Sequence, residues 1–74
     1  MAVIYELYVQ QKGRWNLEAQ FQSHERQAAI EEAKELERQP HIDGAKVVRE
    51  RIDDATGEST ESTIYNSDRK KPGA

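Results

Sequence analysis

The chain has 74 residues, no cysteine and a formal charge of −3, and charged residues make up 34% of it. A chain of this length forms one small domain with a thin core, and without cysteine it has neither disulfides nor a thiolate metal site to stabilise it. The sequence contains no run of about 20 apolar residues and no basic, apolar stretch at its start, so we expect a soluble cytoplasmic protein rather than a membrane or secreted one.

The negative charge is concentrated in the middle of the chain. Residues 1–22 are neutral overall, residues 23–66 carry 11 acids against six bases, and residues 67–74 carry a net charge of +2. A general nucleic-acid-binding surface needs clustered positive charge to displace counterions from phosphates. No such cluster is visible in the body of this chain, which argues against a strong nucleic-acid binder.

Residues 3–9 and 14–21 predict a β-hairpin. Both segments alternate with the period of two that is typical of strands, and Gly13 between them suits a tight turn. This alternation predicts one inward face with most of the large apolar side chains: Tyr5, Leu7, Trp15, Leu17, Ala19 and Phe21. On the other face it leaves Ile4 and Tyr8.

Residues 23–39 predict the one helix. Apolar residues recur there at the spacing of a single helical face, and they are Ala29, Ile30, Ala33 and Leu36. Ser23 is the expected N-cap, and Pro40 ends the helix because its ring blocks further helical geometry. Because the apolar stripe is narrow and half of it is alanine, we expect the helix to be a thin cover for the first hairpin.

Two more strands are predicted over residues 45–52 and 59–65. Residues 53–58 between them form a strong turn signal, with Gly57 at a position that suits positive φ. The third strand has Val47 and Val48 on opposite faces, which indicates that both of its faces are at least partly covered. The fourth strand is rich in serine and threonine and is expected at an edge of the sheet.

The element order ββαββ predicts an α+β domain over residues 1–66, with a four-stranded, mainly antiparallel sheet and one helix packed on one face. Residues 67–74 predict a disordered basic tail. Four strands span ~19 Å whereas one helix is ~10–12 Å wide, so the helix leaves the opposite sheet face open. The apolar side chains expected on that open side are Ile4, Tyr8, Val48, Ile52 and Tyr65.

The sequence predicts no catalytic, metal or cofactor site. His24 and His41 flank the helix, and His41 with Asp43 supplies only part of a metal site, so we expect both histidines in surface loops. The helix glutamates are interleaved with Lys34 and Arg38 and are expected to form a solvated face with ion pairs three residues apart. The glycines stand singly in turns rather than in a phosphate-binding loop. We therefore expect a protein that is not an enzyme.

The apolar residues left over by the helix predict a protein-interaction module. Contiguous apolar patches on small proteins usually mark interfaces, and a second copy would also complete a thin core. The expected partners are a second copy, in a homodimer formed through the open sheet face, and an unidentified larger protein for which this chain acts as an adaptor or regulator.

The alternative is a weak nucleic-acid-binding module. Basic side chains near Tyr8 could contact phosphates while the ring stacks on a base. The candidates are Lys12, Arg14, Lys46, Arg49 and Arg51. Glutamates on the same strands oppose this hypothesis, since alternating charges on neighbouring strands also give ordinary cross-strand pairs.

Overall fold

The computed structural model describes residues 2–67, which form one four-stranded sheet and one helix. The elements are β1 (Ala2–Gln11), β2 (Arg14–Gln22), a 3₁₀ turn (Ser23–Glu25), α1 (Arg26–Glu37), β3 (Gly44–Ile52) and β4 (Ser59–Asn66). The strand order is β2-β1-β3-β4, every neighbouring pair is antiparallel, and α1 packs on one face. The predicted α+β fold is confirmed, with the fourth strand at an edge. No helix among the described residues is long and apolar enough to cross a membrane.

Two residues close the hairpin between β1 and β2. Lys12 and Gly13 both have positive φ, at 52° and 82°. Turns of this type twist in the same sense as antiparallel strands, which is why they join hairpins. Gly13 adopts this geometry easily because it has no Cβ, whereas Lys12 carries a steric penalty of roughly 1 kcal/mol.

The core lies between α1 and one face of the central strands β1 and β3. Leu7 and Val47 are fully buried beneath the helix, and Ala29 and Ala33 are fully buried on the helix itself. Small side chains on α1 let the helix lie close to the sheet. Side chains packed around this centre are Val3, Ala19, Phe21, Leu36, Ile42, Ile64 and Tyr65. We call this side the helix face, and the side that carries the even-numbered residues of β1 and β3 the open face.

A β-bulge interrupts the alternation of β2. Leu7 pairs with Ala19, but the next residue of β1, Tyr8, pairs with Leu17. Glu18 is therefore an extra residue in β2 relative to β1. An extra residue shifts all side chains beyond it to the opposite face of the sheet.

The bulge overturns the predicted inward face of the hairpin. Ala19 and Phe21 lie on the helix face, as predicted. Leu17 and Trp15, on the other side of the bulge, lie on the open face, where Trp15 pairs with Gln10. The prediction that all four residues share one face is therefore wrong, and the open face gains two large apolar side chains.

A second irregularity lies in β4. Val47 pairs with Tyr65, whereas Val48 pairs with Thr63, so Ile64 is the extra residue. Because Val47 is buried beneath α1, Tyr65 opposite it also lies on the helix face. The prediction that Tyr65 belongs to the open face is wrong for this reason.

The helix is shorter than the predicted 23–39. Its first turn is a 3₁₀ turn that starts at Ser23, and the backbone N–H of Gln22 donates to the carboxylate of Glu25 at 2.8 Å. At the start of the helix the carboxylate of Glu25, rather than the predicted N-cap hydroxyl of Ser23, accepts this backbone N–H. At the other end the Gln39 N–H donates to the Leu36 carbonyl at 3.0 Å, a tightened last turn that closes the helix before Pro40.

The folded domain includes Ser67, which was predicted to begin the tail. Ser67 is 7% exposed, and its backbone N–H donates to the Ala45 carbonyl at 2.9 Å. The Ala45 N–H in turn donates to the Ser67 hydroxyl oxygen at 2.9 Å. The chain is thus fixed against β3 one residue beyond the predicted boundary, and the rest of the tail prediction, residues 68–74, lies outside the described residues.

Candidate interaction face

The open face consists of rows of side chains that run across the sheet. In the order β2-β1-β3-β4, the rows are Trp15–Gln10–Gly44, Leu17–Tyr8–Lys46–Asn66, Gln20–Glu6–Val48–Thr63 and Gln22–Ile4–Glu50–Glu61, followed by Ala2–Ile52–Ser59 on the last three strands. The first two rows are aromatic and basic, and the next two are acidic. The face is therefore polarised along the strands.

Aromatic rings surround a lysine at one end of the open face. The Lys46 ammonium lies 4.6 Å from the Trp15 ring centre and 5.5 Å from the Tyr8 ring centre, both within cation–π range. Gly44 lies against the indole, and a Cβ at this position would be 3.6 Å from the Trp15 ring, an ordinary van der Waals contact. Leu17 beside them is 50% exposed. This end offers apolar area together with a positioned cation.

Three glutamates meet at the other end of the face. Carboxylate oxygens of Glu6, Glu50 and Glu61 all lie within 4.8 Å of one another. Glu50 and Glu61 are directly opposite on neighbouring strands, an arrangement in which like charges repel. Within residues 2–67 no lysine or arginine forms an ion pair with any of the three. We call this group the glutamate cluster.

Neutral donors partly satisfy the glutamate cluster. The Tyr8 hydroxyl donates to one oxygen of Glu6 at 3.1 Å, and the Gln20 amide donates to the other at 3.3 Å. Burial raises the pKa of Tyr8 above its ordinary value, and the hydrogen bond to Glu6 and the charges of the cluster raise it further. The phenol therefore stays protonated and keeps its role as a donor.

The chemistry of the glutamate cluster suits a positively charged group. Carboxylate oxygens at this spacing can bind a hard cation, and they can equally accept hydrogen bonds from a guanidinium or an ammonium. His24 and His41 are exposed and belong to the 3₁₀ turn and to the loop after α1, so neither histidine is part of the cluster.

Four of the five predicted interface residues lie on the open face. These are Ile4, Tyr8, Val48 and Ile52. Val48 is only 7% exposed, so it has little area left to give to a partner. Tyr65 is on the helix face and donates through its hydroxyl to Glu37 at 2.5 Å. That the other residues form an interface stays a prediction.

The predicted nucleic-acid-binding residues are not brought together. Lys46 lies on the open face, whereas Arg49 and Arg51 alternate to the helix face, opposite Tyr5 and Val3. Lys12 and Arg14 lie at the hairpin turn. The expectation that these five side chains line one face with Tyr8 is therefore wrong.

The prediction from sequence missed the main charged and aromatic features of the open face. Glu6 and Glu50 occupy even positions of the predicted strands, so the same alternation that places Ile4 there could have identified them. Their meeting with Glu61 depends on strand order and register, which alternation does not give. Trp15 was missed because nothing in the alternation of residues 14–21 marks the bulge.

No protein-family model, no curated protein and no solved structure matches this chain. The function is therefore inferred from the charge, exposure and geometry of the open face itself. Fold alone would add little, because small α+β sheets serve many unrelated functions.

Proposed function

We propose that this protein is a non-enzymatic interaction module that binds a basic partner protein through its open face and acts as an adaptor or regulator of that partner. The observation that carries the proposal is the glutamate cluster, three carboxylates held within 4.8 Å without a cation from the described residues. Positive side chains of a partner would relieve the repulsion among these carboxylates as they bind.

Apolar side chains on both sides of the glutamate cluster would supply contact area. Ile4 and Ile52 are half-buried on one side of it, and Leu17 and Trp15 lie on the other. Tryptophan is among the residues that contribute most at protein interfaces. The Lys46 ammonium beside the indole favours one position of the ring, which would reduce the side-chain entropy lost when a partner packs on it.

A basic partner fits this face better than a second copy does. In a face-to-face homodimer the open face of each copy, as described over residues 2–67, would contribute three glutamates and one lysine, Lys46. Like charges brought together in an interface oppose association, whereas opposite charges steer and favour it. We therefore rank the homodimer below a basic protein partner.

The test is binding of a short fluorescent peptide in which arginine alternates with valine. We expect saturable binding that weakens when the ionic strength rises from about 0.05 M to about 0.5 M. The double variant Glu50→Gln with Glu61→Gln should bind roughly tenfold more weakly or worse, because each charge-assisted hydrogen bond contributes about 1.5–3 kcal/mol. Fluorescence anisotropy gives both dissociation constants.

The matched control removes the same charge from α1. Glu31→Gln with Glu32→Gln changes two exposed helix residues and should leave peptide binding unchanged. A peptide with serine in place of arginine should not bind. Equal losses in both double variants would mean that net charge alone drives binding, and the proposal would then fail.

A further inference from the structure

An open groove of about 560 Å³ lies between the hairpin turn and the loop that follows α1. Among residues 2–67 its lining consists of Gln11, Lys12, Arg14, Asn16 and His41. Every one of these side chains can donate a hydrogen bond, and none of them is a carboxylate. Lys12 and Arg14 give the lining two fixed positive charges in a protein whose formal charge is −3.

Backbone contacts hold the two walls of the groove together. The Lys12 N–H donates to the carboxylate of Asp43 at 3.0 Å, and the Asp43 N–H donates to the Gln10 carbonyl at 2.7 Å. The positive φ of Lys12 and Gly13 fixes the turn on the other side. Asp43 is an acid beside the groove, and its carboxylate accepts the Lys12 backbone N–H. The loop that carries His41 is thus tied to the hairpin before any ligand arrives.

A second groove is lined by acidic as well as basic side chains, unlike the groove at the hairpin turn. It is smaller, about 270 Å³, and its lining on the exposed side of α1 mixes signs: Glu31, Lys34, Glu35 and Arg38. Arg38 already pairs with Glu35 at 3.3 Å. An anion in this groove would meet two carboxylates, so its two basic residues provide a matched comparison for Lys12 and Arg14.

We propose that the groove at the hairpin turn binds the phosphate group of a small phosphorylated molecule. The Arg14 guanidinium can pair with two phosphate oxygens, and the Lys12 ammonium adds a second charge. The Asn16 and Gln11 amides and a His41 ring N–H supply further donors. The volume falls within the ~300–1,000 Å³ typical of small-molecule sites. This site does not depend on the glutamate cluster or on the proposed partner.

The experiment is an amide NMR titration of the whole chain with inorganic phosphate and with adenosine monophosphate, at ionic strength held constant with chloride. We expect saturable shifts confined to residues 11–16 and 40–43, with the nucleotide binding at least as tightly as inorganic phosphate. Lys12→Gln with Arg14→Gln should weaken binding by at least about tenfold, since two charge-assisted contacts are lost. Lys34→Gln with Arg38→Gln should leave it unchanged.

Four results would overturn the proposal. They are shifts that do not saturate, shifts reproduced by chloride, equal binding by the Lys12/Arg14 double variant, and tighter binding of a short DNA strand than of the mononucleotide. The last result would assign the groove to a nucleic-acid backbone instead. If that double variant loses the dispersed spectrum of the folded chain, His41→Ala provides the test on a different segment, and unchanged phosphate affinity in that variant would also overturn the proposal.

Discussion

Tyr8 connects the two ends of the open face. Its ring lies 5.5 Å from the Lys46 ammonium, and its hydroxyl donates to Glu6. Burial, this hydrogen bond and the charges of Glu6, Glu61 and Glu50 all raise its pKa. The titration of the Tyr8 hydroxyl should therefore change when the charge of the glutamate cluster changes.

We predict that Glu6→Gln lowers the pKa of Tyr8 while leaving it above the ordinary value, because burial remains when the charge is removed. The measurement is the phenolate absorbance as a function of pH, with Tyr8→Phe identifying which transition belongs to Tyr8. Glu18→Gln, an exposed acid of β2, is the control and should not shift the transition. An unchanged transition in Glu6→Gln would refute the assigned cause.

The raised pKa of Tyr8 also determines how the stability of the folded chain changes with pH. Above a pH of about 10 an unfolded tyrosine loses its proton, whereas Tyr8 in the folded chain keeps it. The folded state then binds more protons than the unfolded state, so stability falls as pH rises through this range. The contribution is fully present below the unfolded pKa, and Tyr8→Phe should reduce the alkaline loss of stability measured by urea unfolding.

A substitution at Lys12 should relieve backbone strain in the hairpin turn. The Lys12 φ of 52° suits asparagine, which tolerates the left-handed region and precedes glycine in many hairpin turns. We predict that Lys12→Asn raises the free energy of unfolding by roughly 0.5–1 kcal/mol. Gly13→Ala should lower it by about 1 kcal/mol or more through backbone strain alone, since a Cβ there would meet no atom within 4 Å. Urea unfolding measures both, and a stabilised Gly13→Ala would contradict the turn geometry.

At the scale of elements, the packing of α1 depends on alanine. Ala29 and Ala33 have no exposed surface, and they let the helix lie directly on β1 and β3. A larger side chain at either position would have to displace the helix. The stability of the domain is therefore more sensitive to volume here than the narrow apolar stripe suggests.

We predict that Ala33→Leu lowers the free energy of unfolding by about 1–3 kcal/mol, because extra volume in a close-packed contact forces the helix outward. Ala28→Leu is the matched control: Ala28 is exposed on the same helix, and leucine forms helices nearly as well as alanine. Urea unfolding followed by circular dichroism compares the two. Similar losses in both variants would mean that the helix contact does not limit stability.

The positions of the strands and the helix could be predicted from the sequence better than the face on which each side chain lies. Alternation in β1 correctly places Leu7 inward and Ile4 outward, because β1 pairs with β3 without interruption from Ala2 to Gln10. In β2 the same reasoning fails beyond Glu18, since a bulge is a property of two paired strands and leaves no mark on one of them. Tyr65 was misplaced for a related reason: its face follows from its pairing with Val47.

The candidate site shows the same limit at the scale of the whole molecule. The need for an open face follows from the widths of one helix and four strands, and this part was predictable. The meeting of three carboxylates on that face was not, because Glu6, Glu50 and Glu61 come from three strands that only the strand order brings together. The alternation of apolar and polar residues indicates which face of the sheet a side chain lies on. The strand order determines which side chains are its neighbours.

The whole chain should be monomeric at neutral pH if charge on the open face opposes self-association. We predict that Glu50→Gln with Glu61→Gln increases self-association, because it removes like charges from an otherwise partly apolar face. Light scattering over a range of protein concentrations measures this, with Glu31→Gln and Glu32→Gln as the control pair. A stable wild-type dimer would favour a second copy as the occupant of the open face.

The two bulges also shorten the regular part of each outer strand, where another chain could pair. Each outer strand has one irregular residue, so regular spacing is limited to residues 14–17 and 19–22 in β2 and to 59–63 and 65–66 in β4. An exposed strand acts as a template for cross-β stacking when about six or seven residues in a row are evenly spaced. Neither outer strand offers such a run, so the irregularity that moves Trp15 to the open face also leaves the edge strand β2 without a regular segment of that length.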